Sequence, residues 1–255
     1  GEKVRGDIEW SNVDFQFDVD PSSPEFLTKG VFSGYKPTEG DAESAQRELS
    51  REDWVKLLHL AHADKRAAFS LYAQHYLATD GQTYWSDAHQ LGVYIDGYHE
   101  ELDRLMKAPR RCSEMITELY VPTERLIDFL RAAAAMLTSL KAEVIYGTIR
   151  LISEDSETFL PWARGRFACV IFNLHVEHSP SAIEKSGEAF RRLIDLALER
   201  SGSFFLTYHR FAVRAQLLAA YPRLPEFLRL KDAHDARGVF TSDWHRWLKR
   251  TVEGG

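Results

Sequence analysis

The chain has little cysteine, no excess of positive charge and no long apolar run, and each absence closes off a class of function. Its two cysteines, Cys112 and Cys169, lie far apart without CxxC spacing, so neither a disulfide framework nor a cysteine zinc site is implied. Both read as small buried hydrophobes. With 38 acidic against 32 basic side chains the net charge is −6, which argues against the broad basic footprint that binding to a nucleic-acid backbone requires. No window approaches the roughly 20 consecutive apolar residues needed to span a bilayer. The start has neither a signal-peptide core nor a transit pattern, so a soluble, cytoplasmic protein is expected. The GxSxG, HExxH and glycine-rich phosphate-loop signatures are all missing. The histidine pairs His59/His62 and His175/His178 have no third ligand at characteristic spacing, so no metal site is expected.

What is present is the composition of a folded protein with a large core: 44% hydrophobic, 12% aromatic and 27% charged residues. The opening Gly1 and the closing Gly254 and Gly255 suggest a piece of a longer polypeptide. Alternation of Val13, Phe15, Phe17 and Val19 predicts a strand within 8–19, followed by a long Pro- and Gly-punctuated loop. From Ser50 the period becomes helical, with a Ser50/Asp53 capping signature and a break expected near Asp64. Gly81 ends this stretch, and 82–94 reads as a strand or hairpin arm.

The middle of the chain alternates most regularly. Strands are expected over 112–121, 143–153, 167–177 and 203–209. Between them lie a helix capped by Thr123 and a second capped by a Ser181/Glu184 box and stopped by Gly202. The order β-α-β-β-α-β predicts an α+β fold: a ferredoxin-like antiparallel sheet with helices on one face, extended by N-terminal strands and a helix and by a C-terminal helical tail.

Because strand side chains alternate, each strand divides into two faces. Ala168, Val170, Phe172, Leu174 and Val176 make an apolar face for the helices, leaving Asn173, His175 and Glu177 on the other. Tyr146, Thr148 and Arg150 fall together, as do Thr207 and His209, and Glu118 is a further candidate. If these sets share a side, the open sheet face is rich in Tyr, His, Asn and Arg, which suits a pocket floor better than a solvated surface. The same face could instead serve a ligand- or protein-binding module without catalysis, or a homodimer interface.

The tail from Phe227 to Asp243, reading FLRLKDAHDARGVFTSD, the β-α-β-β-α-β core and the strand Tyr146-Gly-Thr148-Ile-Arg150 resemble the C-terminal half of FAD-linked oxidases of the vanillyl-alcohol oxidase type, near the sugar-lactone and alditol oxidase branch. Two positions depart from that pattern: Ala236 stands where the family usually has Pro, and Thr148 where alditol-type enzymes often have Glu. The resemblance implies 1–50 as a segment following an FAD-binding domain that this chain lacks, 51–225 as the substrate-binding cap, and 226–255 as a segment returning to the flavin. It implies hydride transfer from an alcohol or hydroxy-lactone to FAD, with FAD bound weakly or not at all by this chain alone and the FAD-binding domain of the same polypeptide as its partner. His209 or His175 would be the base, and Arg150 would hold substrate oxygen or offset negative charge on the reduced flavin. Tyr146, Thr148, Asn173 and Tyr208 would contact substrate. Gly238, Phe240, Thr241, Ser242 and Asp243 would contact the flavin, although that stretch also reads as a helix N-cap ahead of Trp244 and Trp247.

Overall fold

The computed structural model describes residues 12–40, 47–85 and 95–254. The chain forms two compact units, Gly1–Cys112 and Ser113–Gly255, whereas the resemblance divides it at residues 50 and 225.

In the first unit, β1 (Asn12–Phe17) and β2 (Gly30–Tyr35) form an antiparallel hairpin in which Phe15 faces Phe32. The expected helix from Ser50 is two helices, α1 (Arg51–Ala63) and α2 (Lys65–Leu77), and the break falls at Asp64 as anticipated. Asp64 leaves helical geometry at φ −152° and its carboxylate accepts the Ala67 N–H, so the residue that stops α1 also starts α2. Ser50 and Asp53 close the capping box at the head of α1. Val31 of the hairpin packs with Leu57 and Tyr72 of the helices, so the hairpin shares one core with α1 and α2 rather than standing apart from them. Of the strand expected over 82–94, residues 82–85 have no regular structure and 86–94 lie outside the described residues. A short helix, α3 (Tyr98–Leu105), completes the unit.

The second unit carries β3 (Cys112–Pro122, whose first residue closes the first unit), α4 (Leu126–Leu140), β4 (Val144–Ile152), β5 (Phe167–Glu177), α5 (Pro180–Leu198) and β6 (Ser203–Phe204). The order across the sheet is β4-β5-β3-β6, with β4 against β5 and β3 against β6 antiparallel. Placing the first and third strands centrally is the ferredoxin-like arrangement. Ala168, Val170, Phe172, Leu174 and Val176 are all at most 2% exposed, and on α4 and α5 Phe129, Leu130, Leu137, Phe190, Leu193 and Ile194 are equally buried. The alternation in β5 therefore points at the helices as expected.

Three local expectations are corrected. Thr123 does not cap α4: residues Thr123–Arg125 form a single 3-10 turn, and the Thr123 N–H goes to the Arg166 carbonyl. The cap of α5 is Ser179 rather than Ser181, because Pro180, which lacks an N–H, takes the first turn and Ser179 Oγ accepts from Ala182 N–H. The last strand is only Ser203–Phe204. Phe205 still donates its N–H to Glu118, but the chain then turns away, so strand alternation does not extend to Thr207 and His209.

After β6 come α6 (Arg214–Ala220), α7 (Leu224–His234) and α8 (Asp243–Glu253). Arg164, in the loop before β5, ties this region together by donating to the carbonyls of Gly202 and Ala220. Gly202 itself is required by space: a Cβ there would stand 2.2 Å from the Tyr120 carbonyl oxygen and 2.7 Å from that of Ala197. Both obstacles are backbone and cannot swing aside. Gly202→Ala is expected to destabilise the unit by about 1–3 kcal/mol, the usual cost of overpacking, read as a lowered midpoint in chemical denaturation.

Candidate functional site

The helix-free face of the second unit is assembled by strand register. Tyr146 lies opposite Asn173, Thr148 opposite Ile171, Arg150 opposite Cys169 and Ile152 opposite Phe167. Directly opposed residues project to one side, so the two polar sets expected separately from β4 and β5 do share a face. A bulge between Val144 and Tyr146 is where β4 shifts its register. On β3, Glu114, Ile116, Glu118 and Tyr120 alternate with Thr117, Leu119 and Val121, the latter three buried against the helices at 1% exposure or less.

The face is not uniformly polar. At one end Tyr120, Ala163, Phe167, Cys169 and Ile171 form a buried apolar cluster, joined by Ile152 and Phe205. Trp162 lies parallel to Tyr120 with centroids 6.4 Å apart and remains 39% exposed. Its loop is pinned by Ser203 Oγ, which donates to the Trp162 carbonyl. The expectation from alternation missed this half, because Phe167, Cys169 and Ile171 occupy the same face as Asn173 and His175.

A carboxylate sits at the edge of that apolar cluster. Tyr120 donates its phenolic O–H to Glu118 Oε2 at 2.7 Å, and Tyr208 donates to Glu118 Oε1 at 3.1 Å. Burial, followed by the hydrogen bond to Glu118 and then its charge, pushes the pKa of the Tyr120 phenol far above its ordinary range, and burial followed by the Glu118 charge raises that of Tyr208. The Cys169 thiol is pushed up by burial and by Glu118, against a smaller opposing effect of Arg150, so it is neutral at physiological pH. Glu118, Tyr120, Tyr208, Cys169 and Arg150 thus form one group of interacting side chains.

The other site residues expected from the sequence are dispersed. His175 is six positions along β5 from Cys169, a span of about 20 Å at the rise of a strand. It lies with Nδ1 3.6 Å from Glu114 Oε1, too distant to act with Arg150 on one small molecule. Tyr146 and Asn173 sit between the two ends. The Asn173 Oδ1 atom is buried and accepts no hydrogen bond, while Thr148 is fully buried.

His209 is not on this face. Its Nε2 lies 3.2 Å from Thr117 Oγ1, on the helix side of β3, and its ring stacks on Phe190 of α5 at 4.5 Å and approaches Phe211. Once β6 ends at Phe204, the turn through 205–208 sends Tyr208 toward Glu118 and tucks His209 beneath the sheet. Desolvation alone lowers its pKa to about 4, so it is a neutral packing residue near pH 7.

The tail residues are committed to local structure. Gly238 takes a left-handed turn at φ +63°. The Asp235 carboxylate, ion-paired with Lys231, accepts the N–H groups of Val239 and Phe240. Ser242 caps α8 by accepting from His245 N–H, Thr241 Oγ1 lies 3.3 Å from His245 Nδ1, and Asp243 pairs with Arg246. The helix N-cap reading of this stretch therefore holds. The turn presents Phe240 at 80% exposure.

A family model for D-arabinono-1,4-lactone oxidase matches residues 82–248, more than half of the chain. The chain belongs to that family. The family comprises FAD-linked oxidoreductases acting on lactone or sugar substrates. No curated protein matches the chain significantly. Among the described residues no helix is long and apolar enough to cross a membrane. The open face carries the charged and phenolic cluster of Glu118, Tyr120, Tyr208 and Arg150. His209 belongs to the core beneath it.

The buried imidazole has a measurable consequence. Its ordinary pKa is 6.5 and the folded value is about 4, so in that window the unfolded chain binds a proton that the folded chain does not. Stability is complete above pH 6.5 and is lost as pH falls toward 4, by roughly 3 kcal/mol in total. In His209→Gln this component of the pH dependence should vanish, which denaturant unfolding of both chains between pH 4 and 7 will reveal.

Proposed function

We propose that this chain supplies the substrate side of an FAD-dependent oxidase, and that its open sheet face holds an alcohol or hydroxy-lactone against the flavin. The observation that carries the reading is the convergence of Arg150, Glu118 and Tyr208 beside an apolar, aromatic wall of Trp162, Tyr120 and Phe205. A ring-shaped, hydroxylated molecule matches such a site: the wall covers its apolar face and the charged end takes its oxygens.

The donor set also fits FAD. An isoalloxazine is a flat apolar ring with a polar edge, and the exposed Trp162 ring at the rim of the apolar cluster, beside an exposed guanidinium, is complementary to both. Arg150 would offset the negative charge that a bound flavin gains on reduction, and Phe240, held out on the Asp235 turn, would offer it an apolar contact. Gly238 shapes that turn, whereas Thr241, Ser242 and Asp243 act indirectly by fixing its junction with α8. Bound FAD would accept a hydride from the substrate carbon. The protein would orient the hydroxyl, exclude water with the Trp162 loop and move the proton. Asn173, with its unmatched Oδ1, and Tyr146 opposite it would accept and donate to more distant hydroxyls of the substrate.

The test uses protein expressed from its complete gene. A flavin absorption spectrum that bleaches anaerobically on addition of D-arabinono-1,4-lactone, or of another aldonolactone or alditol, is expected. Arg150→Ala should slow bleaching by at least about 100-fold while leaving the melting temperature unchanged, since Arg150 is exposed. A colourless protein, or equal rates in the two proteins, would overturn the assignment.

A further inference from the structure

The two histidines expected to act as base lie elsewhere, one about 20 Å along the sheet and one beneath it, so the proton of a substrate hydroxyl needs another destination. The cluster at the end of β3 provides one. Tyr208 directs its O–H to Glu118 Oε1 at 3.1 Å, and Tyr120 directs its own to Oε2 at 2.7 Å. The carboxylate thus accepts from two phenols, one on each oxygen. Tyr120 is 4% exposed and acts as a fixed anchor, whereas Tyr208 is 44% exposed. The Tyr208 oxygen, its hydrogen committed to Glu118, therefore offers lone pairs outward.

We propose that Tyr208 and Glu118 form a proton relay in which the exposed phenol accepts the substrate's hydroxyl proton while its own proton passes to the carboxylate. The inference rests on the oxidase reading above and names the base of that same site. In the step the substrate O–H bond breaks and a Tyr208 O–H bond forms. At the same time the original Tyr208 O–H bond breaks and a Glu118 O–H bond forms. Tyr208 is unchanged, Glu118 ends protonated and the substrate oxygen is left as an alkoxide. No electrons leave in this step; oxidation of the carbon is the flavin's part. Arg150, across Cys169 on β4, carries the positive charge that stabilises the alkoxide. The titratable and charged groups around Glu118 are Tyr120 on its own strand, Cys169 on β5, Arg150 on β4 and Tyr208 in the loop after β6. The thiol and both phenols are held neutral by burial and by the carboxylate itself. Glu118 is then the member of the group able to receive a proton.

The experiment monitors anaerobic flavin reduction by D-arabinono-1,4-lactone, or by whichever lactone or alditol reduces the wild-type flavin fastest, in the full-length protein. Tyr208→Phe and Glu118→Gln are each expected to slow reduction at saturating substrate by at least about 100-fold. The double variant should be no more than about threefold slower than the worse single, because members of a serial relay are not additive. Glu118→Asp, which keeps the carboxylate, should recover at least about tenfold. A readout independent of turnover is the alkaline titration of tyrosine measured in the near ultraviolet on this chain alone, in which Glu118→Gln should lower the titration of the phenol that Tyr208→Phe removes. Rates within about threefold of wild type in both single variants, or losses that multiply in the double, would overturn the relay while leaving the oxidase reading intact. A wild-type protein that no lactone or alditol reduces would overturn both. If Glu118→Gln does not fold, Tyr208→Phe carries the test alone, and an unchanged rate in it refutes the relay.

Discussion

The antiparallel register of β4 against β5 decides what the open face of the second unit can do. It sets Arg150 opposite Cys169 and Tyr146 opposite Asn173. Because the side-chain period of a strand is two, a slip by one residue would turn Arg150 and Tyr146 into the helix layer and bring Ile149 and Gly147 out to solvent. What resists the slip is the burial of Val170, Phe172 and Leu174 against α4 and α5. The hydrophobic layer thus fixes the chemistry on its opposite side, although it touches none of it.

Charge is handled in two ways on the two sides of the same strand. Thr117 and Glu118 are neighbours on β3 and point apart. Below the sheet, Thr117 meets a histidine stripped of water and kept neutral by its aromatic neighbours. Above it, the Glu118 carboxylate accepts hydrogen bonds from two phenols, Tyr120 and Tyr208. A buried imidazole offers packing at the cost of acid sensitivity, whereas the carboxylate lies at the rim of an apolar cluster and is shared by two phenols. Membership of the D-arabinono-1,4-lactone oxidase family gives that second environment its context.

The tail shows how a motif can be recognised for one reason and built for another. Gly238 through Asp243 belongs to the stretch that resembles the oxidases, yet most of its polar atoms are spent on starting α8 and closing the Asp235 turn. What remains turned to solvent is the apolar tip, Phe240. Such a division is common at loops, where backbone groups need local partners before side chains can be offered outward.

From the amino-acid sequence alone, the order of elements, the ferredoxin-like class, the break at Asp64 and the helix-facing residues of β5 could be read, because each rests on short-range periodicity or on a cap within three residues. The polar row on β4 and β5 was legible for the same reason, since alternation is local. Beyond the reach of that reasoning were the length of β6, the apolar half of the open face and the convergence of Glu118, Tyr208 and Arg150. These depend on where a chain turns after its last ladder bond and on which strands become neighbours, contacts separated by 90 residues in the case of Tyr208 and Glu118. The same turn sends two consecutive residues, Tyr208 and His209, to opposite sides of the sheet, Tyr208 to Glu118 and His209 into a pocket formed by Thr117, Phe190 and Phe211.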